Sequence, residues 1–209
     1  MKLYYSPGAC SLSPHIVARE LGIAVELKKV NTKDKTFEGG GDYWKVNARG
    51  YVPALELDNG QVLTEGPAIV QYLADQKPEA GLTPKNGTIE RYRLQEWLNF
   101  LTSEVHKQFS PLFKPNTPDD YKPIAKQNIA TRFDWLDKQL EGKDYLMGKQ
   151  FTVADAYLFV LLNWTRPTQI DLSKWPNLAA YQKRVGARPK VKEALQAEGL
   201  LPKEPAKAA

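Results

Sequence analysis

Hydrophobic positions in the first part of the chain alternate between the spacing of strands and the spacing of a helix. Residues 2–5 are mostly apolar, a Pro-Gly turn follows, and apolar side chains then recur at helical intervals as far as Gly22. Glycine is favoured directly after a helix, so Gly22 marks its predicted end. Residues 24–30 alternate apolar and polar side chains, which is typical of a strand. The pattern predicts a strand, a helix and a second strand.

A hairpin and a second helix follow. Residues 52–57 and 61–64 flank an Asp-Asn-Gly turn, and Asn-Gly is a strong short-range signal for a hairpin. Pro67 lies near the start of the apolar stretch 66–75, and proline is favoured in the first turn of a helix. These two elements complete a predicted α/β layer.

Two stretches lack a regular pattern. Residues 31–42 are polar and contain three consecutive glycines, which predicts a loop ahead of a short helix near residues 43–46. Residues 78–87 contain two prolines and two glycines, which predicts a linker. The α/β pattern therefore occupies residues 1–77 and ends at this linker.

Beyond the linker, residues 88–201 show helical spacing only. One apolar stripe of a long helix comprises Leu94, Leu98, Leu101 and Val105. The other predicted helices cover residues 119–140, 152–164, 176–188 and 189–198. A capping box of Thr152 and Asp155 opens the second of these. Residues 202–209 are predicted to form a disordered tail. The expected organisation is an α/β part followed by an all-helical part.

The composition is that of an ordinary globular protein. The chain has 209 residues, of which 42% are hydrophobic and 25% are charged, so it suits one large or two small domains. The net charge is +5, but the basic residues are scattered among acidic ones, so we expect no nucleic-acid partner. We also expect no membrane span and no signal peptide. A single cysteine, which permits no disulfide within the chain, fits a reducing compartment.

That cysteine, Cys10, lies between the first predicted strand and the first predicted helix. The free N–H groups and the dipole of a helix N-terminus favour negative charge, so we expect the thiolate of Cys10 to be favoured over the thiol. Ser13 stands where a second cysteine would complete a C-x-x-C motif, so any redox chemistry needs an external thiol. A buried and unreactive cysteine is the structural alternative.

Histidines are scarce as well. His15 and His106 are the only two, and with one cysteine they lack the spacing of a metal site, so no metal is expected. Glycine motifs that bind phosphate are also missing. His15 is interpreted as a packing residue, whereas His106 could hold or relay a proton near neutral pH. Asn99, Ser103 and His106 share one face of the long helix, where the alternative to a ligand site is a hydrogen-bond network between domains.

Four motifs occur in order along the chain. They are YYSPGACSLSPH at residues 4–15, GYVPAL at 50–55, TEGPAIVQYL at 64–73 and FTVAD at 151–155. Together, with cysteine at the start of the first helix, they resemble a bacterial glutathione S-transferase of the beta class. The resemblance runs from residue 1 to about residue 201. It implies a thioredoxin-like N-terminal domain, an all-helical C-terminal domain, a cytosolic homodimer, and glutathione as co-substrate with no tightly bound cofactor.

The resemblance also implies a glutathione site. The backbone of Val52, before a cis proline at Pro53, would pair with the cysteinyl part of glutathione. Lys35 would reach the glycyl carboxylate, and the Glu65-Gly66 corner would hold the γ-glutamyl end. Glu104 would reach the site of the partner subunit. The complete implied set is Tyr5, Cys10, Lys35, Tyr51, Val52, Pro53, Glu65, Gly66, Asn99, Ser103, Glu104, His106 and Lys107.

Each of these roles has a simpler structural alternative. Val52-Pro53 alone indicates an ordinary strand start, because few such bonds are cis. Glu65 alone indicates a carboxylate that favours a helix dipole. Lys35 alone indicates a solvated loop lysine. Gly66 lacks the serine hydroxyl that many transferase classes have at this position, and Tyr5 is expected to be secondary to Cys10.

In function, the resemblance implies conjugation of glutathione to a hydrophobic electrophile, with Cys10 and His106 as catalytic residues. The helix dipole, Cys10 and the pair of His106 and Lys107 would supply a positive field for the thiolate. A mixed disulfide at Cys10 would also permit thiol transfer or peroxide reduction, and removal of chloride from an aromatic is a narrower alternative. The sequence leaves two placements open for three aromatic residues, which could line the electrophile pocket or belong to the core: Phe109, Phe113 and Trp164. A non-catalytic binding protein of the same fold is the rival interpretation.

Overall fold

A computed structural model describes residues 1–202 of the chain. Residues 203–209 lie outside the described part, and with them all but the first residue of the predicted tail over residues 202–209.

A mixed six-stranded sheet forms the first part of the molecule. Its strands are β1 (Lys2–Tyr5), β2 (Glu26–Asn31), β3 (Thr36–Phe37), β4 (Gly41–Asp42), β5 (Ala54–Glu56) and β6 (Val62–Thr64), in the spatial order β4-β3-β2-β1-β5-β6. Strand β1 is parallel to β2 and antiparallel to β5. Two helices, α1 (Leu12–Glu20) and α2 (Gly66–Asp75), complete it. The thioredoxin-like arrangement implied by the resemblance is confirmed.

Strands β3 and β4 correct the prediction of a loop over residues 31–42. Phe37 of β3 packs edge-on against Tyr4 of β1, with 5.2 Å between the ring centroids. A strand of two residues is too short to show the alternation of apolar and polar side chains that marks strands in a sequence. The contact between Phe37 and Tyr4 forms only in the folded protein, so the sequence could not indicate this strand. The short helix predicted near residues 43–46 is present as a 3₁₀ turn at Tyr43–Lys45.

The rest of the described chain is helical, as predicted. The helices are α3 (Ile89–Phe100), α4 (Lys107–Phe113), α5 (Tyr121–Gln139), α6 (Val153–Asn163), α7 (Pro176–Gly186) and α8 (Pro189–Ala197), with single 3₁₀ turns at Pro78–Ala80 and Leu172–Lys174.

A π-helical segment, Leu101–His106, joins α3 to α4. The sequence predicts one continuous helix here, because the apolar stripe keeps its spacing up to Val105. Wider π-helical turns are rare, and they occur frequently at functional sites. His106 is the last residue of this segment.

One hydrophobic core runs through both parts of the molecule. It includes Leu3 and Ile16 from the α/β part and Leu98, Leu158 and Tyr181 from the helical part. Helix α1 packs against both α6 and α8. The turn between β1 and α1 therefore lies where the two parts meet.

A buried carboxylate links the end of α8 to α1. Glu198 Oε1 lies 2.9 Å from His15 Nδ1, and both side chains are fully buried. Its other oxygen, Oε2, accepts the N–H of Gly8 at 2.9 Å. Because Nε2 of His15 accepts from Arg19 Nε at 3.3 Å, Nδ1 carries the ring proton and donates to Glu198. His15 is thus a structural residue, as interpreted.

Two further polar contacts tie the helices together. Arg188 donates from Nε and Nη2 to the two carboxylate oxygens of Glu20 in α1, at 2.7 and 2.8 Å. At the start of α6, the Asp155 carboxylate accepts the Thr152 N–H at 2.8 Å, which confirms the predicted capping box. The same carboxylate also accepts from the Leu146 N–H and the Tyr181 hydroxyl.

Candidate functional site

Cys10 lies in the turn between β1 and α1, two residues before the first residue of that helix. Ser11 stabilises the turn, because its hydroxyl oxygen accepts the N–H of Ser6 at 3.1 Å and donates to the Ser6 carbonyl at 3.2 Å. The Cys10 thiol donates to the Val52 carbonyl, with 3.4 Å between sulfur and oxygen. The Val52-Pro53 peptide bond is cis, as the resemblance implied. The turn therefore brings the thiol against the cis-proline segment.

The protonation of this thiol differs from the prediction. Burial raises the pKa of the Cys10 thiol to about 12, and the charge of Glu65 raises it further. The N–H groups of Cys10 and Ser11 and the charge of Lys107 lower the pKa, but they do not outweigh burial. The hydrogen bond to Val52 also requires the proton. The prediction that the thiolate is favoured is wrong for this structure, because desolvation exceeds the field of the helix N-terminus.

Lys35 contacts the segment that leads into the cis bond. Its Nζ donates to the Gly50 carbonyl at 2.8 Å. The same atom lies 5.6 Å from the centre of the Trp44 ring and 5.9 Å from that of Tyr51. Tyr51 is 71% exposed. A cation and an exposed aromatic ring thus lie at residues 50–51, directly before Val52.

The N-terminus of α2 lies beside Pro53. Gly66 is the first residue of this helix, and a Cβ placed on it would lie 3.9 Å from Cγ of Pro53. Glu65 precedes it with φ 69°, an uncommon conformation for a residue other than glycine. The Glu65 carboxylate accepts from Arg49 Nη1 at 2.5 Å, and both side chains are largely exposed. The free N–H groups of a helix start favour a bound carboxylate.

The residues of the long helix separate into two groups. Asn99 and Ser103 are exposed, and the Ser103 hydroxyl donates to the Asn99 carbonyl at 3.0 Å. Glu104 pairs with Arg132 of the same chain at 2.9 Å. Lys107 is exposed, and its charge acts on the Cys10 thiol. The polar residues of the long helix therefore differ in their surroundings. Of those in this paragraph, only Lys107, at the carboxyl-terminal end, acts electrostatically on Cys10.

His106 is held between two aromatic side chains. Its Nδ1 lies 2.6 Å from the Tyr157 hydroxyl oxygen. The ring packs edge-on against Trp164, with 4.7 Å between ring centroids, and Trp164 Nε1 donates to the Gly8 carbonyl at 2.8 Å. Burial lowers the pKa of His106 to about 4, and the charge of Lys107 lowers it further. The expectation that His106 supplies positive charge near neutral pH is therefore wrong, because the ring is desolvated.

Tyr5 is placed on the core side of the sheet. It is 7% exposed, and its ring lies 6.3 Å from that of His15. Burial raises the pKa of Tyr5, and the charge of Glu198 raises it further. These contacts place Tyr5 beside the buried pair of His15 and Glu198.

The sequence analysis did not single out Tyr157. It lies inside the apolar run of α6, where an aromatic residue is most simply explained by packing. Pairing it with His106 requires two helices that are 51 residues apart in the chain to be placed side by side. No local pattern in the sequence contains that information.

A cavity of about 690 Å³ lies next to the Cys10 turn. Its walls combine Pro7, Gly8 and Ala9 with apolar side chains of the helical part, including Phe113 and Trp164. Phe113 is 49% exposed, whereas Phe109 is fully buried and belongs to the core. The cavity is thus predominantly apolar and shares Trp164 with the surroundings of His106.

Residues 1–202 contain no group of three or more histidine, cysteine, aspartate or glutamate side chains arranged to hold a metal ion. Within the same residues, every helix is either too short or too polar to cross a membrane.

Comparison with known proteins identifies the family. The family model of the glutathione S-transferase N-terminal domain matches residues 8–76, and that of the C-terminal domain matches residues 100–189. Glutathione S-transferase GstA of Escherichia coli O157:H7 is 45% identical over 200 residues, which cover 96% of this chain and 100% of the relative. This chain belongs to the glutathione S-transferase family. A Xanthomonas campestris relative, glutathione S-transferase GST-4.5, is 37% identical and covers 96% of this chain and 100% of its own length.

Solved structures of this transferase family agree over the same length. The ternary complex of BphK, a bacterial GST, has a TM-score of 0.94 at 57% identity and covers 96% of this chain and 100% of its own. A beta-class glutathione S-transferase of Sphingomonas chungbukensis has a TM-score of 0.94 at 51% identity, with the same coverage. A sphingomonad glutathione S-transferase complexed with glutathione has a TM-score of 0.93 at 49% identity, again with the same coverage. The resemblance to the beta class is confirmed.

Proposed function

We propose that this transferase binds glutathione along Val52 and conjugates the glutathione sulfur to a hydrophobic electrophile. One observation carries the proposal: the Cys10 thiol contacts the Val52 carbonyl, and Lys35 and the start of α2 both lie beside the same cis-proline segment. The surface that these residues share is called the groove. Glutathione is a tripeptide with a thiol at its centre and a carboxylate at each end. The groove offers a complementary group for each of these three features.

Each end of the groove suits a different part of the ligand. Lys35 would release the Gly50 carbonyl and pair with the glycyl carboxylate as a charge-assisted hydrogen bond. The N–H of Gly66 would receive the γ-glutamyl carboxylate, and Glu65 would exchange Arg49 for the ligand ammonium. Asn99, Ser103 and Lys107 would border the ligand from the long helix.

The chemistry requires a glutathione thiolate, because the anion is the nucleophile. The sulfur attacks the electrophile and a new carbon–sulfur bond forms. In a substitution the bond from carbon to the leaving group breaks and the leaving group departs with the electron pair, whereas in an addition the resulting anion takes up a proton. A Cys10 thiol that keeps its proton is suited to donate a hydrogen bond to that sulfur. Lys107 adds positive potential to the site. The electrophile would occupy the apolar cavity beside Phe113 and Trp164.

The position of Cys10 in the groove supports thiol transfer as a second activity. Attack of its thiolate on glutathione disulfide would form a Cys10–glutathione disulfide and release one glutathione. A peroxide could instead oxidise Cys10 to a sulfenic acid, which glutathione would convert to the same mixed disulfide with loss of water. Both routes need a thiolate, so the raised pKa of Cys10 makes conjugation the primary proposal.

The wider assignment is also a proposal. Residues 1–77 would supply most of the glutathione site, the segment 78–87 would link the domains, and residues 88–201 would supply the electrophile site. We propose that the protein is a cytoplasmic homodimer. In the dimer, Glu104 would leave its ion pair with Arg132 and reach the glutathione site of the partner subunit. The similar sequences and structures support this assignment.

The test is calorimetric titration with glutathione. Lys35→Ala should raise the dissociation constant about tenfold, since a charge-assisted hydrogen bond contributes roughly 1.4 kcal/mol or more. Lys33→Ala is the matched control, because Lys33 is an exposed lysine of the same loop, and it should leave the constant unchanged. Equal effects of both substitutions would remove Lys35 from the site. A folded protein that binds no glutathione would favour the non-catalytic rival.

A further inference from the structure

We infer that Tyr157 is a positioning residue that fixes His106 in the tautomer with the proton on Nε2, which makes His106 a neutral hydrogen-bond donor to the glutathione sulfur. The inference rests on the proposed glutathione site and assigns a role to a residue outside it.

The hydrogen bond between the two side chains sets its direction. Tyr157 is 3% exposed, and its hydroxyl oxygen lies 2.6 Å from His106 Nδ1. A buried phenol proton requires an acceptor, and within residues 1–202 the recorded partner of this hydroxyl is His106. If Tyr157 donates, Nδ1 is the acceptor. A neutral imidazole that accepts at Nδ1 carries its proton on Nε2.

A nearby hydroxyl does not change this direction. Thr102 lies close enough to Tyr157 to affect its ionisation. However, the Thr102 hydroxyl is bonded to the Leu98 carbonyl at 2.7 Å, and within residues 1–202 no hydrogen bond of acceptable geometry joins it to Tyr157, so His106 is the acceptor for the Tyr157 proton.

The ionisation of the pair is consistent with this arrangement. Burial raises the pKa of Tyr157, and the charge of Cys10 raises it further. Burial lowers the pKa of His106 to about 4. At neutral pH, Tyr157 therefore keeps its proton and His106 stays uncharged.

Packing holds the ring in one orientation. Its edge-on contact with Trp164, and the hydrogen bond from Trp164 to Gly8, connect His106 to the turn that carries Cys10. With Nδ1 engaged inside the helical part, Nε2 is the polar atom that His106 has available for a ligand. A fixed, neutral N–H donor stabilises a thiolate without the acidic proton of an imidazolium, which would return the thiolate to the thiol.

Nitrogen chemical shifts of the imidazole rings test the tautomer directly. In the wild-type protein at neutral pH, labelled His106 should show a protonated Nε2 and an unprotonated Nδ1, and the signal is assigned by its loss in His106→Gln. In Tyr157→Phe, the two tautomers should mix. A wild-type His106 protonated at Nδ1, or an unchanged spectrum in Tyr157→Phe, would overturn the inference.

The second measurement is the pKa of bound glutathione, followed by the ultraviolet absorbance of its thiolate. Tyr157→Phe should raise the pKa of the bound glutathione thiol by about one unit. At pH values below that pKa, kcat should fall about tenfold, while KM for glutathione changes less than about twofold. Tyr181→Phe is the matched control, because it removes another buried hydroxyl that donates to Asp155 in α6. It should lower stability and leave the thiol pKa unchanged.

The two proposals fail differently. Absence of glutathione binding to the wild type would overturn the proposed function. Normal binding with the same thiol pKa in Tyr157→Phe and wild type would overturn the role of Tyr157 alone. Equal pKa shifts in Tyr157→Phe and Tyr181→Phe would assign the effect to lost stability and equally reject the positioning role.

Discussion

Cys10 experiences opposing influences from the groups around it. The start of α1 and Lys107 favour the thiolate, whereas burial, Glu65 and the hydrogen bond to Val52 favour the thiol. The sequence predicts the first influence, because the helix start is local. It could not predict the others, since Val52 and Glu65 reach the thiol only through the folded sheet and α2. The position of Cys10 at a helix start could therefore be predicted from the sequence, whereas the ionisation state of its thiol could not.

We expect Cys10 to react slowly at neutral pH and faster as the pH rises. In protein free of glutathione, the rate of alkylation by iodoacetamide should increase about tenfold per pH unit past pH 9 and level off only near 12, because burial holds the thiol pKa at about 12. The measurement is intact mass against time. Glutathione disulfide, used in place of iodoacetamide, should follow the same profile.

Cys10→Ala is the control and should gain no mass with either reagent, since the chain has no other cysteine. A rate that levels off near pH 7 would show a lowered pKa and restore the thiolate expected from the sequence.

At the scale of elements, a signal carried by residues close in sequence was predicted, whereas the winding of the long helix and contacts between distant segments were not. The capping box of α6 could be recognised in the sequence because Thr152 and Asp155 are only three residues apart. The π-helical segment Leu101–His106 was not, because its apolar positions fit an ordinary helix equally well. Strands β3 and β4 were missed for the related reason that they depend on Phe37 reaching Tyr4. Periodicity reports which face is buried, but not the exact winding of the backbone.

Asp155→Ala should destabilise the protein by about 3 kcal/mol. The change removes the cap of α6 and leaves the buried Leu146 N–H and Tyr181 hydroxyl without their acceptor. Chemical denaturation followed by circular dichroism measures the free energy of unfolding. Asp171→Ala, at the exposed cap of the 3₁₀ turn Leu172–Lys174, is the control and should cost about 1 kcal/mol or less. Equal losses in the two variants would show that the buried network adds nothing to the cap.

At the scale of the whole molecule, the sequence predicts the division into an α/β part and a helical part. It does not predict how extensively they share a core. Ile16 of α1 packs in the same cluster as Leu158 of α6, and Arg188 reaches across to Glu20. We therefore expect both parts to unfold together in a single transition. The candidate site depends on this union, because Cys10 comes from one part and His106 from the other.

Arg188→Met should lower the free energy of unfolding by about 3 kcal/mol, because it leaves the mostly buried Glu20 carboxylate without its partner. Denaturant unfolding gives this value and shows whether the transition remains single. The double variant Arg188→Met with Glu20→Gln should lose less than Arg188→Met alone, since the uncompensated charge is then gone. A double variant as unstable as the sum of the two single changes would mean that the pair is not coupled.

The buried carboxylate of Glu198 has a consequence for how the molecule is made. During synthesis, the turn around Gly8 leaves the ribosome well before Glu198, which follows it by 190 residues. Until Glu198 emerges, the Gly8 amide and the His15 ring lack the acceptor that they share in the finished protein. The segment that carries Cys10 is thus made long before its last buried partner, and a nascent chain stalled short of Glu198 holds an unfinished candidate site.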